Sequence, residues 1–297
     1  MSDNMEMKPI TPPGQNPLAK HFRQPKIYIE LPSKGKYWKE GSIDLPENGQ
    51  VPIYAMTAKD EITMSTPDAL LNGQSTVDVI QSCVPSIKDA WQCPSIDLDA
   101  LLIAIRIATY GEKLTMNAKI PNTTLEKTYE LDLRNLLDKY QSATYEDVLK
   151  AGDFLVQIRP MPYKTFTTVS IKTFEEQRIL ATVSNEDMPQ DEKLKKFQKS
   201  FKVMTDINVN MIVDSISAIQ YGEETPVTNG QHIREFVENA DATVYNAIKK
   251  HVEDLKDRFS TKPLTVEATE EEIKAGAPKT FEVPIVFDQS NFFGSGS

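Results

Sequence analysis

The chain changes its hydrophobic period near residue 160, and that switch constrains the fold more than any other feature. Before it, apolar residues fall in short stretches separated by Gly, Pro, Asn and Asp, the pattern of short strands and short helices. From Tyr163 onward, apolar residues recur every three or four positions over long stretches, the pattern of helices that bury one face. The expected fold is therefore α+β: an N-terminal region of short strands and helices followed by a mainly helical domain. The divisions read along the chain are an extended N-terminal arm over 1–25, a mixed region over 26–160, a helical domain over 161–262, and short strands with a C-terminal tail over 263–297.

The arm carries Pro9, Pro12, Pro13, Pro17 and Pro25 among polar and small residues, too little apolar surface to offset the entropy of ordering. Phe22 is its one large anchor. Lys26–Leu31 reads as a strand. Ser42–Leu45 and Val51–Ala55 read as paired strands around Glu47-Asn48-Gly49, since Asn-Gly favours the tight turn of a hairpin. Thr57 with Asp60, Ser65 or Thr66 before Pro67, and Ser75 or Thr76 mark the starts of short helices. The third of these places Val77, Ile80 and Val84 on one face.

Ile96–Tyr110 gives the clearest helix of the first half. Leu98, Leu101, Leu102, Ile105 and Ala108 share its spacing, and Gly111 closes it. A hairpin over Lys113–Ile120 and Lys127–Leu133, a short helix over Arg134–Tyr140 and a strand over Asp153–Ile158 follow. Three helical regions come next: one carrying Phe166, Val169, Phe174 and Leu180, one over Gln190–Tyr221, and one over Gly230–Phe259 with a break at Asp241. The stripe from Leu194 to Ile219 is expected to be core. Leu264–Ala268 and Thr280–Phe287 are strand candidates, the second confined to a sheet edge by Pro284.

The formal net charge of −10, from 33 basic against 43 acidic residues, argues against a general nucleic-acid binder, which needs a cationic surface to displace counterions. The basic run Lys193, Lys195, Lys196, Lys199 and Lys202 reads as a solvated helix face. No apolar stretch reaches the 18 residues or so of a membrane span, and the first residues lack the basic and apolar regions of a secretory signal. Two cysteines, Cys83 and Cys93, make no disulfide framework and fit a reduced protein.

Catalytic motifs are missing from the text of the chain. His21, His232 and His251 fall in an arm, a helix start and a helix interior, outside any nucleophile, phosphate-loop or metal motif. Cys83 and Cys93 stand ten residues apart without a second pair or a nearby His, short of the four ligands of a structural zinc. Asp97 and Asp99 open a helix, where acids favour the macrodipole, so capping suffices to explain them. The expectation is a protein that is not an enzyme and needs no cofactor or metal.

The segments QPKIYIELPSKGKYW, VPIYAMTAKDEITMSTPDALLNGQSTVDVIQSCVPSIKD, IDLDALLIAIRIATYGEKL and YELDLRNLL, in that order and spacing, resemble the T4 baseplate hub subunit family of tailed phages. The resemblance covers a little under half of the chain. Many members of that family carry a Cys-Pro-x-Cys pair in the hairpin before the Asp-Leu ending. Here that hairpin reads KIPNTTLEKTYELDL, without cysteine, so a metal knuckle is not carried over and a plain hairpin turning at Pro121 and Asn122 is expected.

The resemblance implies a structural component or an assembly factor of the baseplate hub of a contractile tail, acting by protein–protein contact. Its expected partners are other hub or tail proteins, within an oligomeric assembly and without nucleic acid or membrane. The expected location is the host cytoplasm during assembly and the baseplate of the virion tail. The rival readings are a transient tail assembly chaperone absent from the mature virion, and a tail-tip hydrolase, which would need a catalytic acid in a cleft. Candidate partner contacts are Phe22 in the arm and Phe292 and Phe293 in the tail; simple disorder of both segments is the alternative.

Overall fold

A computed structural model describes residues 22–65, 73–185 and 189–285 of the chain. The fold is α+β, with short strands and helices in the first half and longer helices after residue 160.

Strands β1 (Pro25–Glu30) and β2 (Gln50–Tyr54) pair antiparallel, because that pairing buries Ile29 with Val51 and Ile53. The Asn-Gly turn forms as read, with Gly49 at φ 73° and the Gln50 amide donating to Asn48 Oδ1 at 3.1 Å. It does not join two paired strands, however. Residues 42–45 leave β2 to β1 and meet residues 86–89 instead, through an Ile43–Ile87 bridge and the Ser42 carbonyl, which accepts from the Lys88 and Asp89 amides. The longer β1 alternation buries more apolar surface than the Ser42–Leu45 segment can offer.

Helix α1 (Ala58–Met64) begins at a reciprocal Thr57–Asp60 capping box. Helix α2 (Gln74–Cys83) follows from Gly73. Gly73 adopts φ +75°, and a Cβ there would lie 2.9 Å from Tyr163 Oη, so the position admits only glycine without strain. Helix α3 (Ser95–Tyr110) is the axis of the first core. Every residue from Ala100 to Ile107 is buried, including Arg106, as expected of a helix packed on all sides. Strands β3 (Lys113–Lys119) and β4 (Glu126–Asp132) form the predicted hairpin, with Asn122 in the left-handed region at φ 61°. Asp132 then caps α4 (Leu133–Ser142) by accepting from the Arg134 and Asn135 amides.

The two acids at the start of α3 do not cap it. Its N-cap is Pro94, with no side-chain cap. Asp97 is fully buried and reaches across to residues 33–38, accepting from the Ser33 amide (2.7 Å), Ser33 Oγ (2.5 Å) and Trp38 Nε1 (2.8 Å). It thus ties the LPSKGKYW turn to the core helix. Asp99 accepts from Tyr140 Oη at 3.0 Å, linking α3 to α4. Burial raises both carboxyls to about 6, against the pull of their hydrogen bonds.

A second core forms around strands β5 (Val148–Ala151), β6 (Phe154–Ile158) and β7 (Ile216–Tyr221), in that order across the sheet. Helices α5 (Tyr163–Asn185) and α6 (Gln190–Ser215) intervene between β6 and β7. The helix expected to run to Tyr221 therefore ends at Ser215. Ile216 and Ile219 fit a helical stripe, but as a strand they bury against Ile158 and Val156 of β6. Helices α7 (Gly230–Asn239) and α8 (Ala242–Arg258) complete this core through Ile233, Val237, Ile248 and Leu255, with the expected break at Asp241, which caps α8.

Strands β8 (Leu264–Glu267) and β9 (Thr280–Val283) pair antiparallel around α9 (Glu270–Lys274). The second strand stops one residue before Pro284. Phe281 and Val283 pack with Ile120 and Tyr129 of the β3–β4 region, and Lys127 pairs with Glu272 at 2.9 Å. Cys83 and Cys93 are both buried and free.

Candidate partner interface

Of the three residues nominated from sequence, Phe22 is the one within the described part of the chain; Phe292 and Phe293 lie outside it. Phe22 is 60% exposed beside a shallow surface groove that Tyr54, Met56 and Pro85 help to line. Its neighbour Arg23 is the fixed point. The Arg23 guanidinium donates to the Ala55 carbonyl, to the Ser82 carbonyl at 2.6 Å and Oγ at 2.8 Å, and to Asp60 Oδ2 at 3.2 Å. Its planar fork can serve several acceptors at once, which a lysine cannot do. Asp60 is already held by the Thr57 cap, so the start of the described chain is locked to α1 and α2. A lone arginine at the edge of a proline-rich segment carries no pattern that would have revealed this in the sequence.

The larger surface is the α5–α6 hairpin. Its base is rooted in both cores. Tyr163 stacks on Trp91 with ring centroids 5.7 Å apart, and the Tyr163 amide donates to the Cys93 carbonyl. Ile212, Val213 and Ser215 are buried at the other root. Away from the base the packing thins, and no residue of 164–182 or 189–199 is buried. Phe174 is 60% exposed, Phe201 59% and Leu194 57%. The stripe expected to be core from Leu194 onward is core only in its lower part, from Ile207. Periodicity located the stripe without telling a covered helix from one that extends past its neighbours.

The two sides of the hairpin differ in chemistry. Successive helical residues turn by about 100°. The seam residues, half-buried or buried, are Val169, Thr173, Glu176 and Leu180 on α5 and Phe197, Ser200, Met204 and Ile207 on α6. Phe166, Ser170, Phe174, Gln177 and Ala181 lie roughly 100° from the seam on α5. Leu194, Gln198, Phe201 and Thr205 lie at a similar angle, in the same rotational sense, on α6. Two antiparallel helices view each other with opposite rotational sense, so these two rows share one side of the hairpin. That side carries three phenylalanines and a leucine but no charged residue. The opposite side presents Lys172, Glu175, Glu192, Lys199 and Asp206. Phe197 and Phe201 stack at 6.3 Å, which carries the aromatic row back to the seam.

At the foot of the hairpin, Phe166 and Met211 line a cavity of about 270 Å³ between the two cores, with Leu98, Tyr145 and Phe259. This is slightly below the usual range for ligand clefts. Asp99 is its buried acid, engaged by Tyr140. His232 is exposed, and His251 bonds the Glu146 carbonyl at 2.8 Å. Among the described residues, no group of three or more His, Cys, Asp or Glu is placed to hold a metal ion, and no helix is long and apolar enough to cross a membrane. Burial pushes the Cys83 thiol up to about 12 and the Cys93 thiol well above its ordinary value, so neither is a ready nucleophile.

No curated protein and no solved structure matches the chain. One family model does, that of the T4 bacteriophage base plate protein, over residues 24–281. The match spans the Arg23-anchored strand, both cores, the α5–α6 hairpin and the β8–β9 pair nearly to its end. The chain therefore belongs to the T4 bacteriophage base plate protein family.

Proposed function

We propose that the chain is a structural component or assembly factor of the baseplate hub of a contractile tail, working through protein–protein contact and without catalysis of its own. Membership of the base plate family supports the setting. The observation that carries the mode of action is the uncharged aromatic side of the α5–α6 hairpin. A row of Phe166, Phe174, Leu194 and Phe201 left in water gains nothing for the free chain, whereas covering it removes apolar surface at about 25 cal/mol per Å². An assembly subunit has such a surface because its core is finished only when a neighbour arrives.

Component and transient assembly chaperone are separated by mass spectrometry of purified mature tails, with infected-cell lysate as control. Stoichiometric presence in tails identifies a component. Abundance in the lysate with none in tails identifies the chaperone. Absence of the chain from every tail precursor as well would overturn the baseplate reading in both forms.

A further inference from the structure

We propose that the outer edge of β1 pairs with the same edge of a second copy of the chain, joining two β1–β2 ribbons into one four-stranded sheet about a two-fold axis at Tyr28. This contact goes beyond the baseplate reading, which depends on other residues and stands if the pairing fails. β1 has one strand neighbour, β2. Facing residues of an antiparallel pair alternate between exchanging both backbone hydrogen bonds and exchanging none. The Gln50 amide donates to Asn48 Oδ1, and the Glu30 carbonyl accepts from the Gln141 side chain at 2.8 Å, so Glu30 and Gln50 exchange none. Two places along, Tyr28 faces Pro52, which has no N–H to give. The bonded pairs are therefore Ile29–Val51 and Ile27–Ile53, and the peptide groups of Tyr28 and Glu30 turn away from β2. Among the described residues, no backbone group outside β2 bonds to Tyr28 or Glu30. Arg23 clamps the chain two residues before β1, so the edge is already extended when a partner arrives.

An open strand edge takes another extended strand, and the side chains along this one select which. Lys26, Tyr28 and Glu30 are all exposed on the solvent side of the ribbon, Tyr28 at 55%. Laid antiparallel on itself about Tyr28, the stretch Lys26-Ile27-Tyr28-Ile29-Glu30 sets Lys26 against Glu30 of the second copy, twice by symmetry, and Tyr28 against Tyr28. On the inner side Ile27, half-buried in the single chain, meets Ile29 of the second copy. Opposite charges and aromatic pairs directly across antiparallel strands are favourable. The central Tyr28 pair also exchanges both backbone bonds, as the outward peptide groups require. A register moved by two residues sets Lys26 or Glu30 against Tyr28 and loses both ion pairs. A parallel arrangement sets lysine against lysine and glutamate against glutamate, which is repulsive. Pro25 and Pro32 bound the paired stretch. Lys34 lies 3.8 Å from Glu30 in the single chain, but both are exposed, and such a pair competes weakly. Six residues a side, against roughly 20–30 in a standard interface, make a weak dimer that forms at high protein concentration.

The test is sedimentation velocity of the purified full chain over a concentration series reaching roughly 300 µM. The parent is expected to show a reversible monomer–dimer equilibrium. Lys26→Glu is expected to raise the dimer dissociation constant at least tenfold, because it turns both cross-strand ion pairs into like-charge pairs. Lys26→Glu combined with Glu30→Lys is expected to return the constant to within about twofold of the parent's, since the exchanged charges again face their opposites. Both positions are exposed, and circular dichroism confirms that each variant is folded. A parent that stays monomeric throughout the series overturns the proposal. So does a dimer that Lys26→Glu leaves unchanged, and so does a charge exchange that fails to restore what the single reversal removed.

Discussion

Replacing Asp97→Asn should change how the stability of the first core responds to pH, by an amount set by the seat of that carboxylate. The folded carboxyl stands at about 6 against an ordinary 3.8, because burial outweighs the donors from Ser33 and Trp38. Between those values the folded state holds more proton than the unfolded state, so acidification stabilises the fold, and the stabilisation is lost as pH rises through about 6. Roughly two pH units correspond to about 3 kcal/mol in all, of which about 2 kcal/mol falls between about pH 7 and about pH 4.5. Asparagine does not titrate. It also sets an amide NH2 against either the Ser33 N–H or the Trp38 N–H, at a pH-independent cost of about 1–3 kcal/mol. The gap between the parent and the variant should therefore widen by about 2 kcal/mol on acidification across that window. Asp99 titrates in both proteins and cancels in the comparison. The assay is urea unfolding followed by tryptophan fluorescence, since Trp38 and Trp91 both belong to the first core, with dilute protein because the isoelectric point near 5.0 lies within the window. A gap that stays constant from about pH 7 to about pH 4.5 would refute the buried, charge-disfavouring seat.

Arg23→Lys should destabilise the chain by about 2–4 kcal/mol in the same assay, because an ammonium cannot serve the Ala55 and Ser82 carbonyls and Asp60 together and leaves buried acceptors short of donors. Phe174→Ser and Phe201→Ser should each change stability by less than about 0.5 kcal/mol, whereas Ile248→Ala, at a fully buried site, should cost about 2–5 kcal/mol; thermal unfolding of the three variants distinguishes exposed from core positions. Cys83 and Cys93 should remain unmodified by a thiol reagent in the native protein and react once urea unfolds it; prompt modification of either at neutral pH would contradict their burial.

The elements that the sequence specified locally were legible in it. The helix at Ser95–Tyr110, the β3–β4 hairpin and the break at Asp241 each depend on residues a few positions apart, so spacing and capping were enough. Pairing over longer distances was not. Nothing local to Val51–Tyr54 says that its partner is Pro25–Glu30 rather than the nearer Ser42–Leu45, and Ile216 and Ile219 satisfy a helical period as readily as an alternating one. Asp97 looked like a helix-start acid because its true partners, Ser33 and Trp38, lie about sixty residues away in sequence. The hairpin surface was half legible: the stripe was visible, but exposure depends on what fails to pack above Ile207, a property of the whole fold. Of the nominated contacts, Phe22 lies at the exposed surface, while the clamp beside it at Arg23 was invisible without the structure.

Complementation tests the central claim, that the chain works by covering the uncharged side of its hairpin with a neighbour. A phage unable to make the protein is supplied with the parent chain or with a Phe174→Ser and Phe201→Ser double variant already shown to unfold at the parent's temperature, and infectious particles are counted. The account predicts that the parent restores the yield and that the double variant leaves unassembled tail precursors with few infectious particles. Restoration to the parent's level by the folded double variant would contradict it.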